Sequence, residues 1–578
     1  MPVKREPLRE GRVGAGALDP REMIVWALLV ALFLGVRLWR LDASCLWFDE
    51  VFSVHAARHG WGELLEFVAL DLIHPPLFYL LLKVWMAVVG GGEPVWWLRL
   101  FPLLTQAAAV VPLLLLGREL GLRRRQSGVM RVALLLLAVN GYLIQHAQQL
   151  RMYSLLLLLA LCSLWLFARF SDAEARRGAG ALAALFAVNL LLVYTHYFGW
   201  LLVGLEGLFV AVWRREKLKL FAVSLVALAV CFSPWVWLVL RATGAEQGLL
   251  AQNIGWQARP SLTDIFHPFL LLHEPFRFRR NTYEPLVLRV DVWLTVALFV
   301  PLFVALCWRA MRQRRAGGQL SEDDTAREEA AAGDDAGVRA TAAAATVGHE
   351  ASTRSNLTFL LFFSLAPVLV TFVLARVLPQ SIWGTRHLII IAPAYLLLAS
   401  VALVSLRRPV WLAVSVKLLL ACWLTLAATL WLMRRHEPPV WCAWETLARK
   451  VVAADANAAG EVRIYAAEDL VAYHLWYGIS AAGDRRFRVV AVKNLPGLRE
   501  DRAYFLPRGF DEVAAVDASA AAVMREPRFW VAFRDTTWNT EHPLLRLLAE
   551  RGYDVEPRVE VAASGQKAFL VYAKRRGL

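Results

Sequence analysis

The residues of this chain that could do chemistry begin with an acidic pair, Asp49 and Glu50, which follows the first long apolar run. Ionisable side chains are expensive to keep at a membrane boundary, so such a pair is a functional-site hypothesis by default. A carboxylate there can take a proton from a reacting hydroxyl or bind a metal ion.

Other polar residues fall near the same predicted boundary, in loops that are far apart in the chain. Guanidinium groups bind phosphate bidentately, and imidazole and carboxylate groups are suitable metal ligands. The chemistry indicated is therefore proton transfer combined with the binding of an anion or a metal ion. The candidate residues are Asp49, Glu50, Asp71, His74, Arg99, Gln148, Gln149, Arg151, Tyr153, His196, Tyr197, Arg386 and His387.

The composition places these residues in a polytopic α-helical membrane protein. Of 578 residues, 58% are hydrophobic and form repeated long runs, whereas soluble domains have roughly 45–50% apolar residues. The net charge of +15 lies largely in short loops, so it indicates topology and no nucleic-acid partner. The six scattered cysteines indicate neither a disulfide framework nor a zinc site. Only Cys45 and Cys442 could both face an oxidising side, and nothing in the sequence pairs them.

Eleven apolar runs come near the length that a helix needs to cross a bilayer. The first lacks a small-residue cleavage site, which predicts a retained span rather than a signal peptide. Arginine clusters such as 123–125 and 312–315 then share one side, which the positive-inside rule makes cytoplasmic together with residues 1–22. The predicted spans are 23–41, 99–117, 129–147, 152–170, 181–197, 198–213, 218–240, 286–308, 356–375, 387–406 and 409–433.

Two parts of this membrane module, residues 23–433, depart from the pattern. The apolar stretch 74–89 cannot be a span without reversing every later loop. We therefore predict a re-entrant or surface-lying helix within an external loop of residues 42–98. Residues 309–355 are rich in Ala, Gly, Asp and Glu without apolar periodicity, which predicts a disordered cytoplasmic loop.

Residues 434–578 are predicted to form a soluble α/β domain, which eleven spans from a cytoplasmic N-terminus place outside the cell membrane, on the periplasmic side. No nucleotide-phosphate loop is present, so we expect the domain to cover or bind rather than to do phosphate chemistry. Its predicted strands are 462–465, 487–492, 529–533 and 568–572, and its predicted helices are 444–454 and 543–551.

Six short motifs occur in order along the membrane module: Trp47 to Glu50, His74 to Tyr79, Arg99 to Pro102, Gln148 to Ser154, Thr195 to Gly199, and Arg386 with His387. Together they resemble the bacterial membrane glycosyltransferases of the C-type fold, which are relatives of protein O-mannosyltransferases and of the aminoarabinose transferase acting on lipid A. Each motif alone is weak, but the ordered set is fairly specific and covers roughly residues 23–433.

The resemblance implies a polyprenyl-phosphate sugar as donor, and its transfer with inversion to an acceptor hydroxyl outside the plasma (inner) membrane. It makes Asp49 the general base, with Glu50 beside it in the catalytic centre. The departing phosphate needs cationic stabilisation, for which the candidates are Arg386, Arg151 and Arg99. The candidate substrate contacts are His74, Tyr153, His196, Tyr197 and Gln149. A divalent metal ion held by Glu50, Asp71 and His74 is an optional cofactor.

The sequence departs from the family pattern at two places. Many relatives carry an acidic residue where this chain has Gln149, and an amide compensates a divalent cation less well than a carboxylate. Relatives also often place an Asp two residues before the His-Pro-Pro motif, whereas Asp71 lies three before it and Leu72 takes that position. A local shift of the chain could restore Asp71 to the site.

Other interpretations of the same residues stay open. Arg151 and Arg386 lie at predicted span ends, where arginines often extend to lipid headgroups. A polytopic transporter or lipid flippase would look similar in outline, although transporters tend to place charges near the bilayer midplane and to show repeats. A catalytically inactive relative that acts as a binding scaffold is a third interpretation.

Overall fold

The structure is a computed structural model that describes residues 19–89, 94–122, 127–171, 178–244, 257–276, 300, 304, 336–433, 440–455, 460–484, 486–495, 513–519, 524–563 and 566–577. The regular elements among the described residues of 19–433 are helices. Their helices are α1 Pro20–Leu38, α2 Phe48–Arg58, α3 Trp61–Asp71, α4 Leu77–Ala87, α5 Val95–Ala108, α6 Val110–Glu119, α7 Ser127–Val139, α8 Gly141–Ala147, α9 Tyr153–Ser171, α10 Gly178–Thr195, α11 Phe198–Trp213, α12 Leu218–Gly244, α13 His267–His273, α14 Ala336–Val377, α15 Ala392–Ser405 and α16 Val410–Met433.

The chain is a polytopic α-helical membrane protein. Six helical segments of the described residues are long and apolar enough to cross a membrane: Val95–Glu119, Tyr153–Ser171, Arg215–Ala242, Asn356–Val377, His387–Ser405 and Val410–Met433. The predicted spans 181–197 and 198–213 are helices α10 and α11, whose apolar parts are shorter. The predicted span 286–308 lies outside the described residues apart from positions 300 and 304. The number of eleven crossings therefore stays a prediction.

The predicted span 129–147 is broken at Asn140, and the break has a physical cause. Asn140 Oδ1 accepts the backbone N–H of Leu143 (2.8 Å) and so caps α8. The last carbonyls of α7, at Leu137 and Ala138, accept hydrogen bonds from the buried guanidinium of Arg37 (both 2.9 Å). A helix C-terminus carries partial negative charge, so the end of α7 stabilises this cation inside the bundle.

A second polar group inside the bundle, Glu206 of α11, is held in a closed ring of three contacts. Ser163 Oγ lies 2.5 Å from Glu206 Oε1 and 2.7 Å from Asn189 Oδ1, and Asn189 Nδ2 lies 2.8 Å from Glu206 Oε2. Three contacts need three protons, and the serine and the amide supply one each. The third must come from Glu206, so the ring closes only with a protonated carboxyl. It joins α9, α10 and α11.

Helices α2, α3 and α4 form a short-helix layer at one end of the bundle. Helix α4, of 11 residues, covers the stretch predicted to be re-entrant or surface-lying. It rises only about 16 Å, roughly half the apolar thickness of a bilayer, so it does not cross. Helix α14 begins at Ala336, inside the stretch 309–355 that was predicted to be a disordered loop. Residues 309–335 lie outside the described part, and the disorder of the loop stays a prediction.

The C-terminal region forms the predicted α/β domain. Its elements are α17 Val440–Ala454, β1 Val462–Ala466, α18 Asp469–Ala482, β2 Phe487–Lys493, β3 Ala514–Asp517, β4 Arg528–Asp535, α19 Pro543–Glu550, β5 Tyr553–Ala563 and β6 Gln566–Arg575. The sheet has the order β3-β2-β1-β4-β6-β5, with β3, β2, β1 and β4 parallel and β6 antiparallel to both β4 and β5. All four predicted strands are present; α18, β3 and β5 were not predicted.

The α/β domain is docked on α2 and joined to the loop before it by a disulfide. The Phe48 ring, at the start of α2, lies 5.2 Å from Tyr473, and His55 lies 4.9 Å from Trp476. Cys45 and Cys442, separated by 397 residues, are bonded. The sequence indicates no disulfide framework and does not pair these two cysteines, whereas the structure does. The signal available was that both lie outside predicted spans on the same side.

Candidate functional site

Asp49 lies in the first turn of α2, where the partial positive charge of the helix N-terminus favours a carboxylate. Its side chain is 24% exposed, and its Oδ2 atom lies 3.5 Å from Arg386 Nη1 and 3.8 Å from Arg151 Nε. Arg151 Nη1 also donates to the Asp49 carbonyl (3.1 Å) and contacts Ser53 Oγ (3.3 Å). Two guanidinium groups from distant parts of the chain thus converge on one carboxylate.

Glu50 has a different environment from its neighbour, because it is buried in an ion pair with Arg99. Arg99 Nε and Nη2 donate to the two Glu50 oxygens at 3.0 and 2.8 Å. The backbone N–H groups of Leu150 (2.8 Å) and Trp47 (3.1 Å) bind the same carboxylate. A carboxylate accepts about four hydrogen bonds, and all four are made here.

Every N–H group of the Arg99 guanidinium also has a hydrogen-bond partner. Its remaining N–H groups donate to the carbonyls of Leu41 (3.0 Å), Ser44 (2.8 Å) and Cys45 (2.8 Å), in addition to Glu50. A guanidinium has five N–H donors, so none remains for a phosphate. The donor-phosphate role predicted for Arg99 does not fit this geometry. The pair instead holds together the loop before α2, helix α5 and the loop at Leu150.

The predicted metal ligands do not come together as a set of three. Glu50 has no lone pair left, and only Asp71 and His74 are adjacent, with Nδ1 and Oδ2 3.8 Å apart. The residues that the structure describes contain no group of three or more His, Cys, Asp or Glu side chains that could hold a metal ion.

Asp71 reaches the site despite the extra residue before the His-Pro-Pro motif. Leu72, which ends α3, adopts a left-handed conformation (φ 62°). Such a conformation costs a non-glycine residue of order 1 kcal/mol, and it turns the chain so that Asp71 and His74 become neighbours. A local shift of the chain at a single turn residue, Leu72, therefore places Asp71 beside His74.

Behind the arginines lies a buried cluster of imidazole and phenol rings. The rings of His74 and His196 are 5.2 Å apart, those of His196 and His387 are 5.0 Å apart, and Tyr153 lies 6.2 Å from His196. Both nitrogens of His74, Tyr79 Oη and His196 Nε2 have no hydrogen-bond partner within the described part of the chain. Buried polar atoms are normally satisfied, so these atoms indicate a place for a polar ligand or water.

Two glycines allow the loops to approach this closely. A Cβ atom on Gly199 would lie 2.8 Å from the Leu192 carbonyl oxygen, so the turn at His196 and Tyr197 needs glycine there. A Cβ on Gly384 would lie 2.7 Å from His387 Nδ1, so the segment before Arg386 needs glycine to admit the His387 ring.

Burial sets the charge of this cluster. It lowers the pKa of His74 well below its ordinary value, with a further contribution from Arg151. It lowers the pKa of His196 to about 3, aided by Arg386 and Arg151. It raises the pKa of Asp71 to about 7, although Arg151 opposes this. The imidazoles are therefore neutral at pH 7, and the arginines supply the positive charge.

An apolar cavity of about 320 Å³ adjoins the polar cluster. It is lined by Leu72, Tyr197, Phe232, Trp235, Val236, Val239 and Leu240. Leu72 and Tyr197 each follow a residue of the polar site in the chain, namely Asp71 and His196. Trp235 Nε1 donates to Tyr197 Oη (3.1 Å), which fixes Tyr197 on the cavity wall. The site thus has a polar part and an apolar part in contact.

The remaining predicted contacts are placed as follows. Tyr153, the first residue of α9, is buried in the ring cluster. Gln149 is half-buried in the loop before α9, and its carbonyl accepts the Arg151 N–H (2.7 Å). Sequence reasoning gave no role to Tyr79, although it stands in the His-Pro-Pro motif, or to Ser53, which lies one helical turn after Asp49.

These features define an integral membrane protein with a polar, arginine-bearing site and an adjoining apolar cavity, next to an appended α/β domain. The chain is similar to the crystal structure of ArnT from Cupriavidus metallidurans in the apo state, with a TM-score of 0.55 and 14% identity over 96% of this chain and 98% of that one. The form of ArnT bound to undecaprenyl phosphate gives a TM-score of 0.55 and 13% identity with the same coverage.

An archaeal oligosaccharyltransferase, AglB from Archaeoglobus fulgidus in complex with an inhibitory peptide and a dolichol-phosphate, gives a TM-score of 0.40 and 13% identity over 80% of this chain and 64% of that one. No protein-family profile matches the chain, and no curated protein matches it. The chain has the C-type glycosyltransferase fold, so the resemblance expected from the sequence is confirmed at the level of fold.

Proposed function

We propose that the chain is a glycosyltransferase that moves a sugar from a polyprenyl-phosphate donor to an acceptor hydroxyl, with inversion at the anomeric carbon. The observation that carries this proposal is the convergence of Arg386 and Arg151 on Asp49 beside an apolar cavity. A donor of this class has one anionic phosphate, one polar sugar and one long apolar chain. The site offers a matching group for each part.

Arg386 and Arg151 bind the phosphate of the donor and stabilise it as it leaves. Guanidinium groups suit phosphate because they donate bidentately, and preorganised charge is effective where water is excluded. Arg386 is 27% exposed, so it can meet an entering ligand, whereas Arg151 lies on the buried side of Asp49. Tyr142 Oη donates to the Thr385 carbonyl (3.0 Å) and so holds the segment that carries Arg386.

Asp49 is the base of the transfer. In a single displacement the acceptor oxygen attacks the anomeric carbon, its proton passes to the Asp49 carboxylate, and the bond from that carbon to the phosphate oxygen breaks. The electron pair leaves with the phosphate. Glu50 and Arg99 make no contact with substrate in this scheme. Their ion pair, in which every hydrogen-bonding group has a partner, positions α2 and the loop at Leu150.

The polyprenyl chain lies along the apolar cavity at Tyr197 and Trp235. In ArnT from Cupriavidus metallidurans the ligand is undecaprenyl phosphate, and a ligand of that class fits the arrangement of cation and apolar wall described above. An apolar chain in such a cavity contributes by removal of its surface from water, so the cavity provides affinity while the arginines provide orientation.

The site and the α/β domain lie on the external face of the plasma (inner) membrane, with residues 1–22 in the cytoplasm. The bond between Cys45 and Cys442 supports this placement, because disulfides persist on the oxidising side of a membrane. The cytosolic nucleotide sugars do not reach that face, which suits a lipid-linked donor. The α/β domain covers the site or helps to choose the acceptor.

The test is the release of polyprenyl phosphate from a panel of polyprenyl-phosphate sugars by the purified protein, with a membrane extract as acceptor. Arg386→Gln should weaken donor binding about 10- to 100-fold, since a charge-assisted hydrogen bond contributes roughly 1.5–3 kcal/mol. Arg407→Gln, at an exposed arginine just beyond the C-terminal end of α15, is the matched control. Donor that crosses a vesicle bilayer without turnover would instead favour the transporter or flippase.

A further inference from the structure

The part of the site that would surround the sugar consists of uncharged groups. The polar side chains there are the imidazoles of His74 and His196, with His387 beside them, and the phenol of Tyr153. The buried phenol of Tyr79 interacts electrostatically with Arg151, Asp71 and Tyr153, so it belongs to the same group. Two carboxylates border this group: Asp49, which faces the two guanidiniums, and Asp71, which lies 3.8 Å from His74.

The hydrogen-bond roles of these groups are partly fixed by the backbone. The Phe198 N–H donates to His196 Nδ1 (3.1 Å), so Nδ1 is an acceptor and the ring proton sits on Nε2. His196 therefore directs an N–H donor, without a partner among the described residues, into the cluster. A hydroxyl oxygen can accept from this donor, whereas an ammonium group has no lone pair with which to do so.

The two arginines also disfavour an ammonium group on the sugar. Arg151 and Arg386 both lower the pKa of His74 and His196, after burial, so their field reaches the cluster. The Asp49 carboxylate and the donor phosphate already compensate the two guanidinium groups, so an ammonium ion on the sugar would be a third cation in excess, whereas a hydroxyl adds no charge. Like charges in a poorly hydrated site repel more strongly than in water.

We propose that the donor carries an uncharged, hydroxyl-rich sugar, bound through His74, Tyr79 and His196, and that the site discriminates against a sugar bearing an ammonium group. This inference rests on the proposed function and narrows its substrate class. The partnerless atoms of these three side chains are the groups that pair with the sugar hydroxyls.

The experiment compares three ligands that share one polyprenyl chain: the free polyprenyl phosphate, a hexosyl donor, and the same donor with one hydroxyl replaced by an amine. Their binding to the purified full chain is measured at pH 7 by competition. The hexosyl donor should bind at least tenfold more tightly than the amino-sugar donor. Equal or tighter binding of the amino-sugar donor would overturn the inference and leave the glycosyltransferase proposal standing.

Two variants test whether His196 contacts the sugar. His196→Phe keeps a ring but removes the N–H donor, so it should lower the affinity for the hexosyl donor about tenfold and leave the affinity for free polyprenyl phosphate unchanged. His267→Phe, at the start of α13, is the control and should change neither. Equal losses for both ligands would contradict a sugar contact at His196. If all three ligands fail to bind a protein that melts normally, the proposed function fails and this inference fails with it.

Discussion

Arg99→Met is the substitution that most sharply separates a structural from a substrate-binding arginine. Arg99 and Glu50 are both buried, and the substitution removes the hydrogen bonds of all five guanidinium N–H groups and leaves a carboxylate without its cation. Removal of one partner of a buried ion pair costs about 3 to 5 kcal/mol. Since the pair joins the loop before α2 to α5 and to Leu150, we expect a clear fall in the melting temperature of the purified protein.

The double variant with Glu50→Gln provides the quantitative check. It leaves no uncompensated charge, so its loss of stability should be smaller than the sum of the two single losses. Arg386→Met is the matched control: it should leave the melting temperature nearly unchanged and weaken donor binding. A normal melting temperature for Arg99→Met, together with lost donor binding, would refute the reasoning and restore Arg99 as a phosphate ligand.

Three further predictions follow from single features. Cys442→Ser should release the α/β domain from the loop before α2, at a cost of about 2–4 kcal/mol, which limited proteolysis at the domain boundary with and without reductant would detect; equal proteolysis of both proteins would contradict it. Burial raises the pKa of Asp71 to about 7, so Asp71 is protonated below pH 7 and gains negative charge above it; donor affinity should fall as pH rises through 7, and Asp71→Asn should remove this dependence. Glu206→Gln should keep most of the protein's stability because an amide can replace a protonated carboxyl, whereas Glu206→Leu leaves Ser163 and Asn189 unsatisfied and should cost about 1–3 kcal/mol in a denaturant titration; equal losses in both would argue against the protonated ring.

The sequence predicts helices well where apolar length decides the outcome. Tyr153–Ser171 and Val410–Met433 match predicted runs to within a residue or two. The sequence does not predict a helix boundary that a distant contact determines, as at Asn140. Helix α7 ends there because its last carbonyls accept hydrogen bonds from Arg37. The Asn140 side chain in turn donates to the carbonyls of Leu271 and Leu272. Such a break depends on contacts with residues 100 or 101 positions earlier and 131 or 132 positions later in the chain.

The same limit applies to the site. The motifs bring Asp49, Arg151 and Arg386 into one hypothesis, and the structure places these three side chains together. The motif resemblance assigns the base to Asp49, but the residue types alone do not distinguish it from Glu50, since both are acidic and adjacent. Only the fold shows that one faces the open site while the other is enclosed by Arg99. The disulfide was missed for the same reason, because the docking of the α/β domain brings its two cysteines together.

The most direct test of the central claim is the turnover of a cognate polyprenyl-phosphate sugar by Asp49→Asn, measured beside the dissociation constant of the same donor. Release of polyprenyl phosphate should fall at least about 100-fold, as expected for loss of a general base, while donor binding should be unchanged or tighter, since the arginines are retained. Turnover at the wild-type rate would show that Asp49 is not the base.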